Sequence, residues 1–242
     1  MQMKKILLFS ILFTATKFLT AQTDAADDKN VVISKSTKEF KFVKGNAEHP
    51  VQIKEESRRL YTCNSYRTDV QVVEFYNDIE SIDDVNIYVN DSKKHGIVPK
   101  YEYYNSDGIF YSDAHVCYFM LPLQKKGSSS EVVFKKTTSD PRYFTSVYFM
   151  DDKEILEQEV KVIVPSWMQL EIKEFNFKQF NIKKSVSPDG DETVYTYTMK
   201  NIPAMRNEHS APGPSYFTPH ILVMCKSAQP KDENYVYFKT VK

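Results

Sequence analysis

Apolar and polar residues alternate with a period of two along most of the chain. The segments 85–89 and 160–164 each place valine or isoleucine at every second position. A repeat of two brings such residues to one face of a β-strand, so the pattern predicts strands that pack one side on a core. No window sustains a helical repeat, and we expect the short acidic segment 151–159 to form a turn or a single helical turn.

Turn signals separate the predicted strands. The segments 105–108 and 187–191 both contain Asp-Gly, a pair that tolerates the positive φ of tight hairpins. Many short strands joined by such turns predict an all-β fold, an antiparallel β-sandwich of immunoglobulin-like or related type. The apolar members of the alternating runs that we expect in its core include Val162, Val164, Leu170, Ile172, Phe119 and Leu121.

The N-terminus has the features of a secretory signal peptide. Lys4 and Lys5 precede a mostly apolar stretch, 6–19, and the small residue Ala21 follows. The apolar stretch is short and interrupted by polar residues, so we expect no transmembrane anchor. We therefore predict export to the periplasm or the extracellular space. The predicted organisation is a signal peptide at 1–21, a polar linker at 22–30, a β-sandwich module at 31–228 and a linker at 229–242 toward a C-terminal domain.

Composition supports a packed core and narrows the range of partners. The 242 residues carry 32 basic and 32 acidic side chains, and no basic block stands out, which argues against nucleic acid as a partner. Hydrophobic residues make up 41%, enough to argue against disorder. The three cysteines, Cys63, Cys117 and Cys225, each lie in an apolar or aromatic run. We expect buried free thiols, with one disulfide as the alternative.

One constellation has the makeup of a thiol nucleophile site. Asp113, His115 and Cys117 occupy alternate positions, which places all three on one face of a strand. Such neighbours are about 6.6 Å apart, however, whereas a nucleophile and its base must be in hydrogen-bond contact. We therefore predict that Cys117 is structural and that the chain is not an enzyme. A cysteine-dependent hydrolase or acyltransferase using Cys117 remains an alternative.

The sequence contains no metal or cofactor motif that we can identify. The histidines lack the spacing of a zinc site, and the acidic turn at 189–192 lacks the full pattern of a calcium loop. We therefore predict neither a metal site nor a cofactor.

Aromatic residues suggest a ligand surface. Tyr101 and Tyr103 share one face of a predicted strand, and Phe110 follows the next turn. Rings of this kind can stack on a glycan or a peptide, although dense aromatic residues more often fill cores and cross-strand pairs. A glycan- or peptide-binding module with an aromatic face is therefore a second hypothesis.

Four segments, taken in order, resemble a known module. They are Asp-Pro-Arg-Tyr-Phe at 140–144, the apolar run with Pro-Ser-Trp at 160–167, Asn-Ile-Pro-Ala-Met within 199–205, and the Pro-Gly-Pro stretch within 210–223. Together they resemble the domain of unknown function that precedes a transglutaminase-like domain in secreted bacterial proteins. The resemblance implies a non-catalytic accessory module, which packs against the following transglutaminase-like domain or presents substrate to it.

The Pro-rich loop is the most specific part of this resemblance. Its two prolines, Pro212 and Pro214, make it a stiff connection that cannot pair as a central strand, and charged and aromatic residues flank it. We expect either a plain crossover between strands or a contact with the following domain. The residues of this candidate interaction surface are Arg206, Glu208, His209, Pro212, Pro214 and Tyr216.

Export is directly testable. We predict that residues up to Ala21 or Gln22 are absent from the mature protein, because a charged start, an apolar core and a small residue are what signal peptidase recognises. N-terminal sequencing of protein purified from its native host measures this. Intact Met1 on the mature protein would contradict the prediction.

Overall fold

The computed structural model describes residues 30–104, 113–205, 213–231 and 233–237. These residues form strands, turns and two short 3-10 helices, with no α-helix among them. The predicted signal peptide lies outside the described residues. So do five of the candidate site residues, namely Phe110, Arg206, Glu208, His209 and Pro212.

Fifteen strands account for most of the described chain. They are β1 (Val31–Lys44), β2 (Val51–Cys63), β3 (Thr68–Tyr76), β4 (Glu80–Val89), β5 (Ser92–Lys93), β6 (Lys100–Tyr103), β7 (His115–Leu123), β8 (Ser129–Thr138), β9 (Ser146–Tyr148), β10 (Ile155–Pro165), β11 (Met168–Phe175), β12 (Lys183–Asp189), β13 (Glu192–Ile202), β14 (His220–Ala228) and β15 (Tyr235–Val236). The 3-10 helices are Phe177–Gln179 and Pro214–Tyr216.

Eight strands form one long sheet, sheet A, in the order β12-β13-β10-β1-β2-β8-β4-β5. Neighbours in it are antiparallel except for β1 and β10, which run parallel. The predicted all-β, mainly antiparallel sandwich is confirmed. The turn predicted over 151–159 is wrong from Ile155 onward, where β10 begins. Hydrogen-bonded strands on both sides of β10 outweigh the weak strand propensity of its acidic start.

Two small sheets cover one face of sheet A. Sheet B has the order β3-β7-β6, and in sheet C β14 pairs with β11 on one side and with β9 and β15 on the other. Register across sheet A places Phe134 and Tyr197 in one row on the same face. Phe119 of sheet B packs on Phe134, and Phe149, just after β9, packs on Tyr197, with centroids 6.2 and 5.9 Å apart. Both small sheets therefore lie on this covered face.

The buried positions follow the predicted alternation in sheets A and B. Val162, Val164, Phe119 and Leu121 are buried as expected. Leu170 and Ile172 are only partly buried, so their predicted full burial is wrong. Both lie on β11, which has β14 as its only strand partner among the described residues and therefore forms an edge of sheet C. All three cysteines are buried and free, as predicted.

Candidate functional site

A group of charged side chains lies beneath the small sheets. Glu74 projects from β3 of sheet B onto the covered face of sheet A. There its Oε2 accepts a hydrogen bond from Arg59 Nη2 at 3.0 Å, and its Oε1 accepts one from Lys136 Nζ at 2.8 Å. Lys136 also lies 3.3 Å from Glu55, and Arg59 Nε lies 3.4 Å from Asp151. We call these five residues the buried charge network.

The network favours the ionised forms of Glu74 and Lys136. Burial by itself would raise the pKa of Glu74, but the attraction of Lys136 and Arg59 outweighs it and lowers that pKa. Burial likewise opposes the charge on Lys136, yet Glu74 and Glu55 raise the pKa of its ammonium group. The side chains of Glu74 and Lys136 are each only 10% exposed. Each carboxylate of the network lies next to a cation, and the ion pairs of Glu74 link sheet B to sheet A.

Lys38 borders this network with a different environment. Among the described residues, no carboxylate oxygen lies close enough to the ammonium group of Lys38 to form a salt bridge. Burial, followed by repulsion from Arg59, lowers the pKa of Lys38.

The predicted Asp-His-Cys constellation is not assembled as a nucleophile site in the described structure. His115 Nε2 lies 3.0 Å from Asp78 Oδ1, and the His115 ring stacks on Tyr76. Cys117 instead lies opposite Tyr101 of β6, and burial raises the pKa of its thiol to about 11. Asp113 is exposed. The environment of Cys117 thus disfavours the thiolate that nucleophilic attack requires.

Aromatic residues form an exposed cluster at the β6 side of sheet B. Tyr101 and Tyr103, both singled out in the sequence, are 52% and 70% exposed. Tyr103 packs against His115 at 4.4 Å between centroids. On the opposite face of the sheet, Phe75 meets the Tyr104 ring edge-on at 5.1 Å. We define the aromatic edge as Phe75, Tyr76, Tyr101, Tyr103, Tyr104 and His115.

Register explains why these rings meet. The central strand β7 places His115 between Tyr76 of β3 and Tyr103 of β6. One row further in, it places Cys117 between Glu74 and Tyr101. Sequence reasoning missed Phe75, Tyr76 and the role of His115, because their proximity depends on the pairing of strands that are distant in sequence.

The described part of the Pro-rich loop is exposed and anchored. Pro214–Tyr216 forms a 3-10 turn, and the Tyr216 side chain is 78% exposed. The side-chain amide of Asn176 donates hydrogen bonds to the carbonyls of Ser215 and Thr218 at 3.1 and 3.0 Å. The loop therefore presents Tyr216 from a fixed position, well separated in sequence from the aromatic edge.

Two further features, metal-binding groups and membrane-spanning helices, are absent from the described residues. Across the described ranges, no three or more His, Cys, Asp or Glu side chains are grouped so that they could hold a metal ion. Within the same ranges there is no helix with the length and apolar character to span a membrane.

Comparison with known proteins places the chain in a family. The model of a domain of unknown function with a solved structure, DUF3857, matches residues 51–206. The chain belongs to this family. The resemblance to a domain of unknown function is thereby confirmed, and the transglutaminase-like neighbour remains a prediction. No curated protein matches the DUF3857 chain.

Two solved structures resemble the chain at low sequence identity. A protein of Parabacteroides distasonis ATCC 8503 described as a "putative protease" is 15% identical, with a TM-score of 0.56; the match covers 81% of this chain and 40% of that one. A "putative nutrient binding protein" of Legionella pneumophila is 7% identical, with a TM-score of 0.42, and the match covers 81% and 67% of the two chains. The DUF3857 chain thus spans 40% of the length of the Parabacteroides protein, and the likeness shows the fold alone.

The state of the cysteines offers a direct test of the site. We predict that Cys63, Cys117 and Cys225 resist a thiol reagent in the native protein at neutral pH and all react after denaturation. Burial limits access to them, and the raised pKa of Cys117 limits its thiolate. Labelling followed by mass spectrometry measures this. Rapid native labelling of Cys117, with a hydrolytic or acyl-transfer activity that Cys117→Ala abolishes, would favour the enzyme hypothesis instead.

Proposed function

We propose that this chain is a non-catalytic interaction module of an exported protein, and that it binds a polypeptide or glycan ligand at the aromatic edge. The observation that carries the proposal is the exposure of Tyr101 and Tyr103 on β6, the outer strand of sheet B among the described residues. A ligand that covers these large rings removes their apolar surface from water, which favours binding.

The composition of the aromatic edge supports ligand binding. Tyrosine combines a flat apolar ring with a hydroxyl group, so it provides contact area and hydrogen bonds with little loss of side-chain freedom. His115 is held between Tyr76 and Tyr103 and against Asp78, which restrains the rings before a ligand arrives. Restraint of this kind lowers the entropy lost on binding.

A second surface supports an association with a neighbouring domain. The exposed Tyr216, on a turn anchored by Asn176, is the type of rigid element that loses little entropy on docking. With the resemblance described above, it favours a contact between this loop and a transglutaminase-like domain. The accessory role and the ligand surface are compatible because they use different residues.

Substitutions on β6 test the ligand surface. We predict that the double variant Tyr101→Ala, Tyr103→Ala weakens binding of the best ligand by about tenfold or more, since aromatic residues at the centre of an interface commonly contribute over about 1.4 kcal/mol. Ligands would come from a random-peptide display library and a panel of bacterial cell-wall oligosaccharides, with affinity measured by calorimetry.

Tyr143→Ala is the matched control, because Tyr143 is an exposed tyrosine outside the aromatic edge. Its affinity for the ligand should stay within about twofold of wild type, the scatter typical of peripheral substitutions. An equal loss in the control, or no ligand from either panel, would count against the proposal.

A further inference from the structure

Among the residues that the structure describes, one side of the β6 backbone has no strand partner. Tyr104 N–H donates to the Ala114 carbonyl at 2.8 Å, so this antiparallel pair is a hydrogen-bonded one. Because hydrogen-bonded and non-hydrogen-bonded pairs alternate, Glu102 is also bonded to β7, whereas Tyr101 and Tyr103 are not. The N–H and C=O groups of Tyr101 and Tyr103 therefore point away from β7.

These outward groups form a regular template. No hydrogen bond to them occurs among the described residues, where β7 is the strand partner of β6. They provide two donors and two acceptors, with the tyrosines spaced about 6.8 Å apart, the repeat that another strand would match. A row of this kind is what peptide-binding sheets use when an extended segment adds to their edge.

We propose that β6 binds an extended polypeptide as an added antiparallel strand, hydrogen-bonded to the backbone of Tyr101 and Tyr103. This inference rests on the proposed function and names the chemistry of its ligand. A glycan could cover the rings, but it lacks the alternating N–H and C=O groups that this row would satisfy.

Side chains on β6 define the ligand sequence. Ligand residues opposite Tyr101 and Tyr103 pack on the rings, which favours aromatic or β-branched types. The position opposite Glu102 favours a basic residue, and the position opposite Lys100 favours an acidic one. Read from its N-terminus, the preferred ligand is therefore apolar, basic, apolar, acidic.

A second copy of the chain fits this edge less well. The register that pairs Tyr101 and Tyr103 of each copy with one another puts the two Glu102 carboxylates directly opposite, which is destabilising. The register centred on Tyr101 puts Pro99 opposite Tyr103, and proline has no N–H to donate. A partner segment of suitable sequence avoids both conflicts.

The test compares the loss of a ring with the loss of a backbone donor. A peptide would be selected from the display library on the full mature chain and then synthesised. Tyr103→Ala removes the ring but keeps the N–H, whereas Tyr103→Pro removes both, and an edge strand tolerates proline where its N–H faces solvent. We expect Tyr103→Pro to weaken binding about tenfold more than Tyr103→Ala, the loss expected for about 1.4 kcal/mol. Circular dichroism and thermal unfolding would verify that both variants fold.

Two further measurements do not depend on a variant. N-methylation of successive amides in the peptide should weaken binding at alternate positions only. On binding, exchange of the Tyr101 and Tyr103 amides should slow, while that of the Glu102 amide, already bonded to β7, should change little. Alternating sensitivity together with these two protected amides is the expected result.

Other outcomes separate this inference from the proposed function. If Tyr101→Ala and Tyr103→Ala weaken binding but N-methylation has no periodic effect, strand addition is wrong and the ligand surface stands. If only oligosaccharides bind, strand addition is likewise wrong. Protection of both amides that grows with protein concentration, without peptide, would mean that a second copy occupies the edge and would overturn the inference. If neither peptides nor oligosaccharides bind, both proposals fail.

Discussion

Glu74 lies between two cations of another sheet, and the position of sheet B depends on it. Its carboxylate bonds Arg59 of β2 and Lys136 of β8, while its backbone belongs to β3. These bonds hold β3 against sheet A at Glu74, and they therefore determine where the rest of sheet B lies over sheet A. Glu74 pairs with Cys117, which pairs with Tyr101 on its other side. The next row on this face of sheet B consists of Tyr76, His115 and Tyr103. The ion pairs therefore position the aromatic edge.

The same ion pairs favour one register of β3 more than they add to overall stability. Moving charges out of water costs several kcal/mol per ion, so apolar residues of similar volume could give equal stability. A carboxylate without its cations would be strongly disfavoured there, and so a slipped register of β3 is penalised. The stabilisation from Glu74 depends on pH, because its folded pKa is below the ordinary 4.5. It is present above pH 4.5 and is lost as the pH falls through the folded pKa.

Local patterns in the sequence identify most strands, but not how distant strands meet. Alternation over 160–164 predicts β10, and Asp-Gly at 189–190 predicts the β12–β13 hairpin, where Gly190 has the expected positive φ of 61°. Glu55, Arg59 and Lys136 look like solvated positions in the sequence, since charged residues in strands usually face water. Their burial follows from the packing of sheet B. Likewise, Tyr76 and Tyr103 come together only through β7, so the aromatic edge could be predicted only in part.

A double-mutant cycle on Glu74 and Lys136 tests the central claim most directly. Urea unfolding at pH 7 would be measured for wild type, Glu74→Gln, Lys136→Met and the double variant. Each single change should lower the free energy of unfolding by about 3–5 kcal/mol, since it leaves a buried charge without one of its two partners. The double variant should lose less than the sum, by about 1 kcal/mol or more. If the loss of the double variant lies within about 0.5 kcal/mol of the sum of the single losses, the claim that Glu74 and Lys136 link the two sheets is contradicted.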